Sequence, residues 1–172
     1  MGDVEMCELT QGKLKSLLHY DPETGIFTRK KGSGGVAAGS IAGGLNGHGY
    51  INLKIGGKTF KAHRLAFLYV YGYMPEMVDH KNLNRADNRL SNLRAANRAQ
   101  NGQNSNMRSD NASGVKGVSW DKRINKWVAR CTCNGHENWI GSFENKECAI
   151  EAVRLFRGKT HGEFANHGEA AQ

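Results

Sequence analysis

The sequence predicts an α+β protein of two small units, and three observations carry that prediction. A strand, loop, strand, helix pattern runs from Val78 to about Asn101. Three strand-like runs with turns between them, followed by an amphipathic helix, make a three-stranded antiparallel sheet packed on one helix in the C-terminal third. Between the two, Gly102 to Ser113 is rich in Asn, Ser and Gly with almost no apolar content, which reads as a linker.

Taken in order, Leu14, Leu17 and Leu18 recur at helical spacing behind Thr10, a residue suited to an N-cap, so a short amphipathic helix is expected over residues 10–19. Asp21-Pro22-Glu23-Thr24-Gly25 is a turn, and Ile26-Phe27-Thr28-Arg29 a strand leaving it. Glycine recurs so often from Gly32 to Gly49 that a flexible loop, one that could ride on DNA, is expected there. Tyr50 to Ile55 alternates as a half-buried strand does, Gly56-Gly57 is a turn, and Lys58 to Lys61 completes a hairpin. Ala62 to Tyr71 places Leu65, Ala66, Leu68 and Tyr69 on one side and meets Gly72, a glycine C-cap.

Val78-Asp79-His80 is a short strand, Lys81 to Arg89 a polar loop, and Leu93-Arg94-Ala95-Ala96 the return strand. The next helix starts at Asn97, with Gln100 three residues on as in a capping box, and its first turn carries Arg98 and Asn101. Beyond the polar stretch, Gly117 to Trp120, Lys126 to Cys131 and Trp139 to Phe143 are the three strands. Lys146 to Arg157 is the helix, with Ala149, Ala152, Val153 and Phe156 at i, i+3, i+4 and i+7. No internal repeat is present.

Charge points to a polyanionic partner. The net charge of the 172 residues is +8, and residues 80–130 alone hold 11 Lys and Arg against 3 Asp, an excess equal to that of the whole chain. A basic belt of this kind displaces counterions from nucleic-acid phosphates. No apolar run is long enough to span a bilayer, and the acidic start Met1-Gly2-Asp3-Val4-Glu5 does not read as a signal peptide, so a cytoplasmic protein is expected. The cysteines, Cys7, Cys131, Cys133 and Cys148, lack zinc spacing and read as reduced thiols.

Cleaving a phosphodiester needs a group to deprotonate water and another to hold charge on the leaving oxygen. His80 suits the first task, since an imidazole with a pKa of about 6.5 is a competent base at neutral pH. Asp79 suits the second through a hard divalent cation, which prefers oxygen ligands. Neighbours on a strand point to opposite faces, so the two can address different sides of one phosphate. Asn101 could complete the metal site, and Asn92 could fix the tautomer and direction of His80. A lone Asp-His pair is more often a salt-bridged surface feature, and Asn is abundant here, so residue types alone leave both readings open.

Val78-Asp79-His80, Asp87-Asn88-Arg89-Leu90, Asn92-Leu93-Arg94 and Gln100-Asn101 resemble, in residue type and spacing, the HNH endonucleases of phages and mobile introns. The similarity extends upstream through Tyr20 to Gly25, the Gly49-Tyr50 hairpin and Ala62-His63-Arg64-Leu65, covering roughly residues 10 to 106. The resemblance implies a ββα-metal (His-Me finger) domain in which Asp79 and Asn101 hold one divalent ion, Mg²⁺ or Mn²⁺. It implies His80 as general base and Asn92 as the group that orients it. Asn101 stands where other members often have His. The cysteine pairs that brace the site with zinc in some members are missing, so no structural zinc is expected.

Arg64, Arg94 and Arg98 are the DNA-contact candidates of this domain. For His63 and Arg64 a structural role and a phosphate contact are both open, with the forked guanidinium of Arg64 the better phosphate ligand. Asn97 reads as a helix cap and not as a ligand. His19, His48, His136, His161 and His167 read as surface residues.

In the C-terminal unit two of Trp120, Trp127 and Trp139 are expected in the core. The middle strand places Lys126, Val128 and Arg130 on a wet, basic face and Trp127, Ala129 and Cys131 on an apolar one. Such a sheet fits the major groove. Lys126-Trp127-Val128-Ala129, Trp139 to Phe143 and the Glu147-to-Phe156 helix resemble the Apetala-two (ethylene-response-factor) DNA-binding domain. That resemblance implies Lys122, Arg123, Lys126 and Arg130 at the DNA; the short Val118-Ser119-Trp120 strand departs from the family pattern, so no base preference carries over.

The sequence thus reads as a nuclease domain at 1–106, a linker at 107–113 and a DNA-binding domain at 114–172. The expected protein is a metal-dependent, phage- or mobile-element-encoded endonuclease acting on double-stranded DNA as a monomer in a bacterial host. The competing reading is a DNA-binding regulator whose nuclease motif is inactive.

Overall fold

Thr10 caps the first helix through its hydroxyl, which accepts from the Lys13 amide at 3.2 Å. The computed structural model describes residues 9–168, and contacts divide the chain into two units between Ala95 and Ala96. In the first, α1 spans Gln11–Leu17 and buries Leu14. Leu18 was expected to continue the helix; it instead begins β1 (Leu18–Asp21), paired antiparallel with β2 (Ile26–Arg29). The reason is burial with period two: Leu18 and Tyr20 enter the core while His19 stays exposed. The Asp21 carboxylate ties the turn, accepting from the Glu23 amide at 2.9 Å and the Thr24 hydroxyl at 2.8 Å.

Residues 32–49, expected to be a flexible loop, are organised. Gly39 N donates to Arg29 O at 2.7 Å, Thr28 and Ile41 form a β-bridge, and β3 (Gly44–Leu45) adds to a sheet of order β3-β4-β5 with β4 (Ile51–Ile55) and β5 (Lys58–Lys61). The glycines here mark chain reversals: Gly34, Gly35, Gly39, Gly43 and Gly49 all have positive φ. The β4-β5 hairpin turns at Gly56-Gly57 and leads into α2 (Ala62–Tyr71), stopped by Gly72 at φ 82° as the C-cap pattern predicts. One core joins Leu14, Tyr20, Phe27, Leu53, Leu65 and Leu93.

Strand β6 (Met77–His80) pairs with β7 (Leu93–Ala96), and a 3₁₀ turn at Leu90–Asn92 precedes the return. Then α3 (Arg98–Gln103) follows, with both halves of its capping box formed between Asn97 and Gln100. The strand, loop, strand, helix order is as expected.

The unit boundary falls earlier than composition suggests, and α3 sorts with the second unit. The polar stretch read as a linker is tied into that unit: Lys116 Nζ donates to Ser105 O at 2.8 Å, Asn166 Nδ2 to Asn104 Oδ1 at 2.9 Å, and Asn111 Nδ2 to Val115 O at 3.0 Å. Low hydrophobicity here reflects side chains that bond backbone locally, not a lack of order.

Strands β8 (Val118–Asp121), β9 (Lys126–Cys133) and β10 (His136–Phe143) form the antiparallel sheet of order β10-β9-β8, and α4 (Lys146–His161) follows. Val118, Ala129, Cys131, Ala149 and Val153 form the core, with Trp127, Phe143 and Phe156 against it. Two expectations need correction. Only Trp127 packs on that core; Trp120 and Trp139 are exposed, Trp139 at 55%. Val128, on the face expected to be wet, is 1% exposed. It sits on the central strand opposite Ser119 and Ser142, between Lys126 and Arg130, whose long stems can shield a short side chain. Cys131, Cys133 and Cys148 are free thiols; Cys7 lies outside the described residues.

Candidate active site

Strand β6 ends on two buried ionisable residues, Asp79 at 4% and His80 at 5% exposure. As the alternation of a strand dictates, they turn to different partners. Asp79 meets Arg94 of β7: the guanidinium Nε and Nη2 both reach Oδ2, at 2.8 and 2.7 Å. His80 meets the loop that follows it and the helix before it.

On the loop side, Asn88 Oδ1 lies 3.5 Å from His80 Nε2. The amide is held that way round because Asn88 Nδ2 donates to Ala86 O at 3.0 Å. The loop is in turn held by the N-terminal hairpin: Tyr20 Oη donates to Asn88 O at 2.7 Å, and Leu90 N to Pro22 O at 2.9 Å. Gly25 makes this approach possible, since a Cβ there would lie 2.3 Å from the Asn88 carbonyl carbon. On the helix side, the ring of His63 stands perpendicular to that of His80 with centroids 4.9 Å apart, and Tyr50 lies near both, 5.3 Å from His63 and 6.2 Å from His80.

The electrostatics favour neutral imidazoles. Burial pushes His80 below its ordinary pKa; Asn88 and the carboxylates of Asp79 and Asp87 oppose that shift without cancelling it. Burial, reinforced by His80, Lys61 and Arg64, brings His63 down to about 3. His80 therefore holds a basic lone pair at neutral pH. The Asp87 carboxyl is held at about 2, chiefly by its hydrogen bonds from Arg89.

Asn92, expected to orient His80, is buried and braces the loop instead. Its Oδ1 accepts from the Asn82 amide at 3.0 Å and its Nδ2 donates to Asp87 O at 2.8 Å. The acceptor facing His80 comes from Asn88. Asn101 sits in the first turn of α3, its amide bonded to Asn97 O at 3.0 Å, and α3 sorts with the second unit, so Asp79 and His80 are the pair that the first unit brings together.

Of the expected DNA contacts, Arg94 is turned inward to Asp79, its side chain 12% exposed. Arg64 and Arg98 are exposed, as is Lys122. Arg123 pairs with Asp121 at 3.1 Å, Lys126 with Glu144 at 3.7 Å, and Arg130 with Glu137 at 3.4 Å while lying 5.4 Å over the Trp139 ring. Sequence reasoning missed Lys61 and Arg85, which flank the Tyr50 ring at 4.2 and 5.1 Å, because only the fold gathers residues this far apart around one ring. His161, read as a surface residue, is buried in the last turn of α4 and lies 3.0 Å from Thr132 O.

Asp79 and His80 thus stand together, buried, at the end of β6, within the segment that comparison with known proteins singles out. The family model described as HNH endonuclease matches residues 60–103, which take in β6, the loop and β7. Over 88 residues the chain is 33% identical to Protein 3.8 of Escherichia phage T7, covering 51% of this chain and 72% of that protein. The chain carries an HNH endonuclease domain and belongs to the same family as that phage protein. A solved structure of DNA binding and cleavage by the HNH homing endonuclease I-HmuI aligns over 88% of each chain at 22% identity with a TM-score of 0.42, a likeness too slight to bear on the fold.

Among the described residues no helix is long and apolar enough to cross a membrane. Nor do three or more His, Cys, Asp or Glu side chains come together there as a metal-holding group.

Proposed function

We propose that this protein is a metal-dependent DNA endonuclease in which His80 activates the attacking water. The observation that supports this best is the environment of His80: a buried imidazole kept neutral, with Asn88 Oδ1 at 3.5 Å and the His63 ring against it, beside a buried carboxylate. A neutral imidazole so restrained has a lone pair in a fixed direction, which is what proton abstraction from water requires. Lys61 and Arg85, gathered on Tyr50, supply positive charge beside it, where the phosphodiester and its developing charge would lie.

The donor chemistry suits a hard divalent ion such as Mg²⁺ or Mn²⁺. Asp79 offers a carboxylate whose Oδ2 is engaged by Arg94, and Asn101, carried over by resemblance, offers an amide oxygen; such an ion accepts few acidic ligands together with neutral oxygens and water. When bound, it supplies Lewis-acid stabilisation of the phosphate and its leaving oxygen. Asp79 and Asn101 would hold it, while Asn88 and Asn92 fix the loop beside His80.

The ββα-metal reading of β6, β7 and α3 belongs to this proposal, as do the division into nuclease and DNA-binding domains and the basic sheet of the second unit as an Apetala-two-like DNA contact. Two DNA-binding modules on one chain raise overall affinity through effective concentration.

A plasmid assay decides the matter. Supercoiled DNA is to be nicked or linearised with Mg²⁺ or Mn²⁺, spared in EDTA, and spared by His80→Ala. If the wild type shifts DNA in a gel yet leaves it intact with either metal, the regulator reading replaces the enzyme.

A further inference from the structure

The second unit contains a cavity of about 500 Å³ whose lining is rich in positive charge, with Glu137 the one carboxylate among its described lining residues. Arg157, on α4, is 2% exposed. Its Nη2 donates to Lys116 O at 2.8 Å and its Nη1 lies 3.2 Å from His167 Nδ1. Lys116 lines the same space and reaches Gln103 O, Ser105 O and Ser105 Oγ through Nζ. Those partners are neutral oxygens, so they do not offset its charge. Among the described residues neither cation makes an ion pair with a carboxylate.

The rest of the lining points the same way. Arg98 contributes a third cation, and the lone acidic residue there, Glu137, is held by Arg130 at 3.4 Å. His161 is 8% exposed, its Nε2 lies 3.0 Å from Thr132 O, and its Nδ1 is buried with no partner. Burial, with Arg157 adding to it and Cys131 opposing it, depresses Lys116 to about 8. A buried cation without a counter-charge, as Arg157 is, is unfavourable, and the half-buried Lys116 on the same cavity adds to that cost. A bound anion removes that penalty.

The charge count selects the anion. A carboxylate guest would neutralise only one of the two cations, Arg157 and Lys116, whereas a phosphate group carries between one and two negative charges at neutral pH and at least three acceptor oxygens. A guanidinium fork and an ammonium are its usual ligands. We propose that this cavity is a binding site for a phosphate group with a free dianionic end, borne by inorganic phosphate, a mononucleotide or the 5′-phosphorylated end of a nucleic-acid strand. The site is built wholly from the second unit and does not depend on the chain being a nuclease.

The test uses the full chain in EDTA, so that cleavage plays no part. Trp120, Trp127 and Trp139 all lie in the second unit, so tryptophan fluorescence during thermal unfolding reads its stability. Inorganic phosphate, dAMP, and a tetranucleotide with a 5′-phosphate or a 5′-hydroxyl are compared at equal ionic strength with chloride and deoxyadenosine. The expected result is a rise in midpoint with phosphate-bearing probes over chloride, and calorimetric binding of the same probes.

Lys116→Met, which keeps the apolar stem, is expected to weaken that binding at least about tenfold, the usual consequence of losing one charged hydrogen-bonding partner. Gly102→Leu is the second variant. A Cβ at Gly102 meets nothing within 4 Å and the residue lines the cavity, so the larger side chain fills it without disturbing α3 and blocks the ligand. Equal affinity for phosphate and dAMP identifies a free ion, tighter dAMP a nucleotide, and tightest 5′-phosphorylated tetranucleotide a strand end; each supports the site. Stabilisation no greater than that by chloride, or full affinity retained in both variants, overturns it.

Discussion

Asn88 presents its amide oxygen to His80 Nε2 at 3.5 Å, and the Ala86 carbonyl, accepting from Asn88 Nδ2 at 3.0 Å, fixes which way the amide faces. This makes Asn88 a positioning residue for the proposed base. Asn88→Ala is expected to lower the cleavage rate by about 10- to 100-fold, as loss of an orienting partner commonly does, with little change in the KM for DNA. A purely structural role would move the urea midpoint and the rate together. Asn88→Asp, which keeps an acceptor oxygen in place, should retain more activity than Asn88→Ala; equal loss in both would remove Asn88 from the mechanism.

Gly25 holds this arrangement from 63 positions away. Its φ is 73°, and a Cβ would stand 2.3 Å from the Asn88 carbonyl carbon and 2.4 Å from the Arg89 nitrogen. Gly25→Ala therefore combines backbone strain with a clash against the chain itself, and a loss of roughly 1–3 kcal/mol is expected from the strain alone. Gly34→Ala is the control, because Gly34 has φ 58° with nothing within 4 Å of a Cβ. Urea unfolding should show the larger loss at Gly25, and cleavage should fall for Gly25→Ala alone. Equal losses would mean that the hairpin does not support the Asn88 loop.

The His63 ring gives a pH signature. Its folded pKa of about 3 lies far below the unfolded value of about 6.5, so between those values the unfolded chain binds the extra proton. The stability contribution is whole above about pH 6.5 and is lost as pH falls toward 3. From pH 7.5 to 5 the first unit should lose about 2 kcal/mol on this account. All five tyrosines are in that unit, so near-ultraviolet tyrosine dichroism in urea can follow it. His63→Phe should flatten the slope while His80, also depressed, keeps a remnant. An unchanged slope would show that His63 is not buried as a neutral ring.

What was legible in the sequence was local. Thr10, the Asn97-Gln100 capping box and Gly72 act on backbone groups within four residues, so their side chains announce their work. That Asp79 and His80 end a short strand ahead of a polar loop was legible too, because the loop's Asn and Asp residues mark where the strand stops. What was not legible depended on pairing or topology. Leu18 fits a helix face and a strand equally well until β2 supplies a partner. Asn88 and Asn92 are the same residue type in one loop, and only the loop's path decides which faces His80. Arg94 looked like a phosphate ligand because nothing in its own neighbourhood showed that β7 lays it against Asp79.

That last contact can separate metal binding from simple ion pairing. Arg94→Ala removes the guanidinium from a buried carboxylate, a change expected to cost roughly 3–5 kcal/mol. If Asp79 is a metal ligand, a divalent cation can take over part of that compensation, and Mg²⁺ should recover part of the stability of Arg94→Ala. The gain follows mass action, rising with the ratio of free ion to its dissociation constant. The wild type, whose Asp79 already has its guanidinium, should gain less. Asp79→Asn in the Arg94→Ala background removes the charge that demanded compensation, so both the deficit and its response to Mg²⁺ should shrink. Urea midpoints of the three proteins with and without Mg²⁺ read this directly, with no cleavage required. A deficit in Arg94→Ala that Mg²⁺ leaves untouched would assign Asp79 to the ion pair alone and move the metal elsewhere.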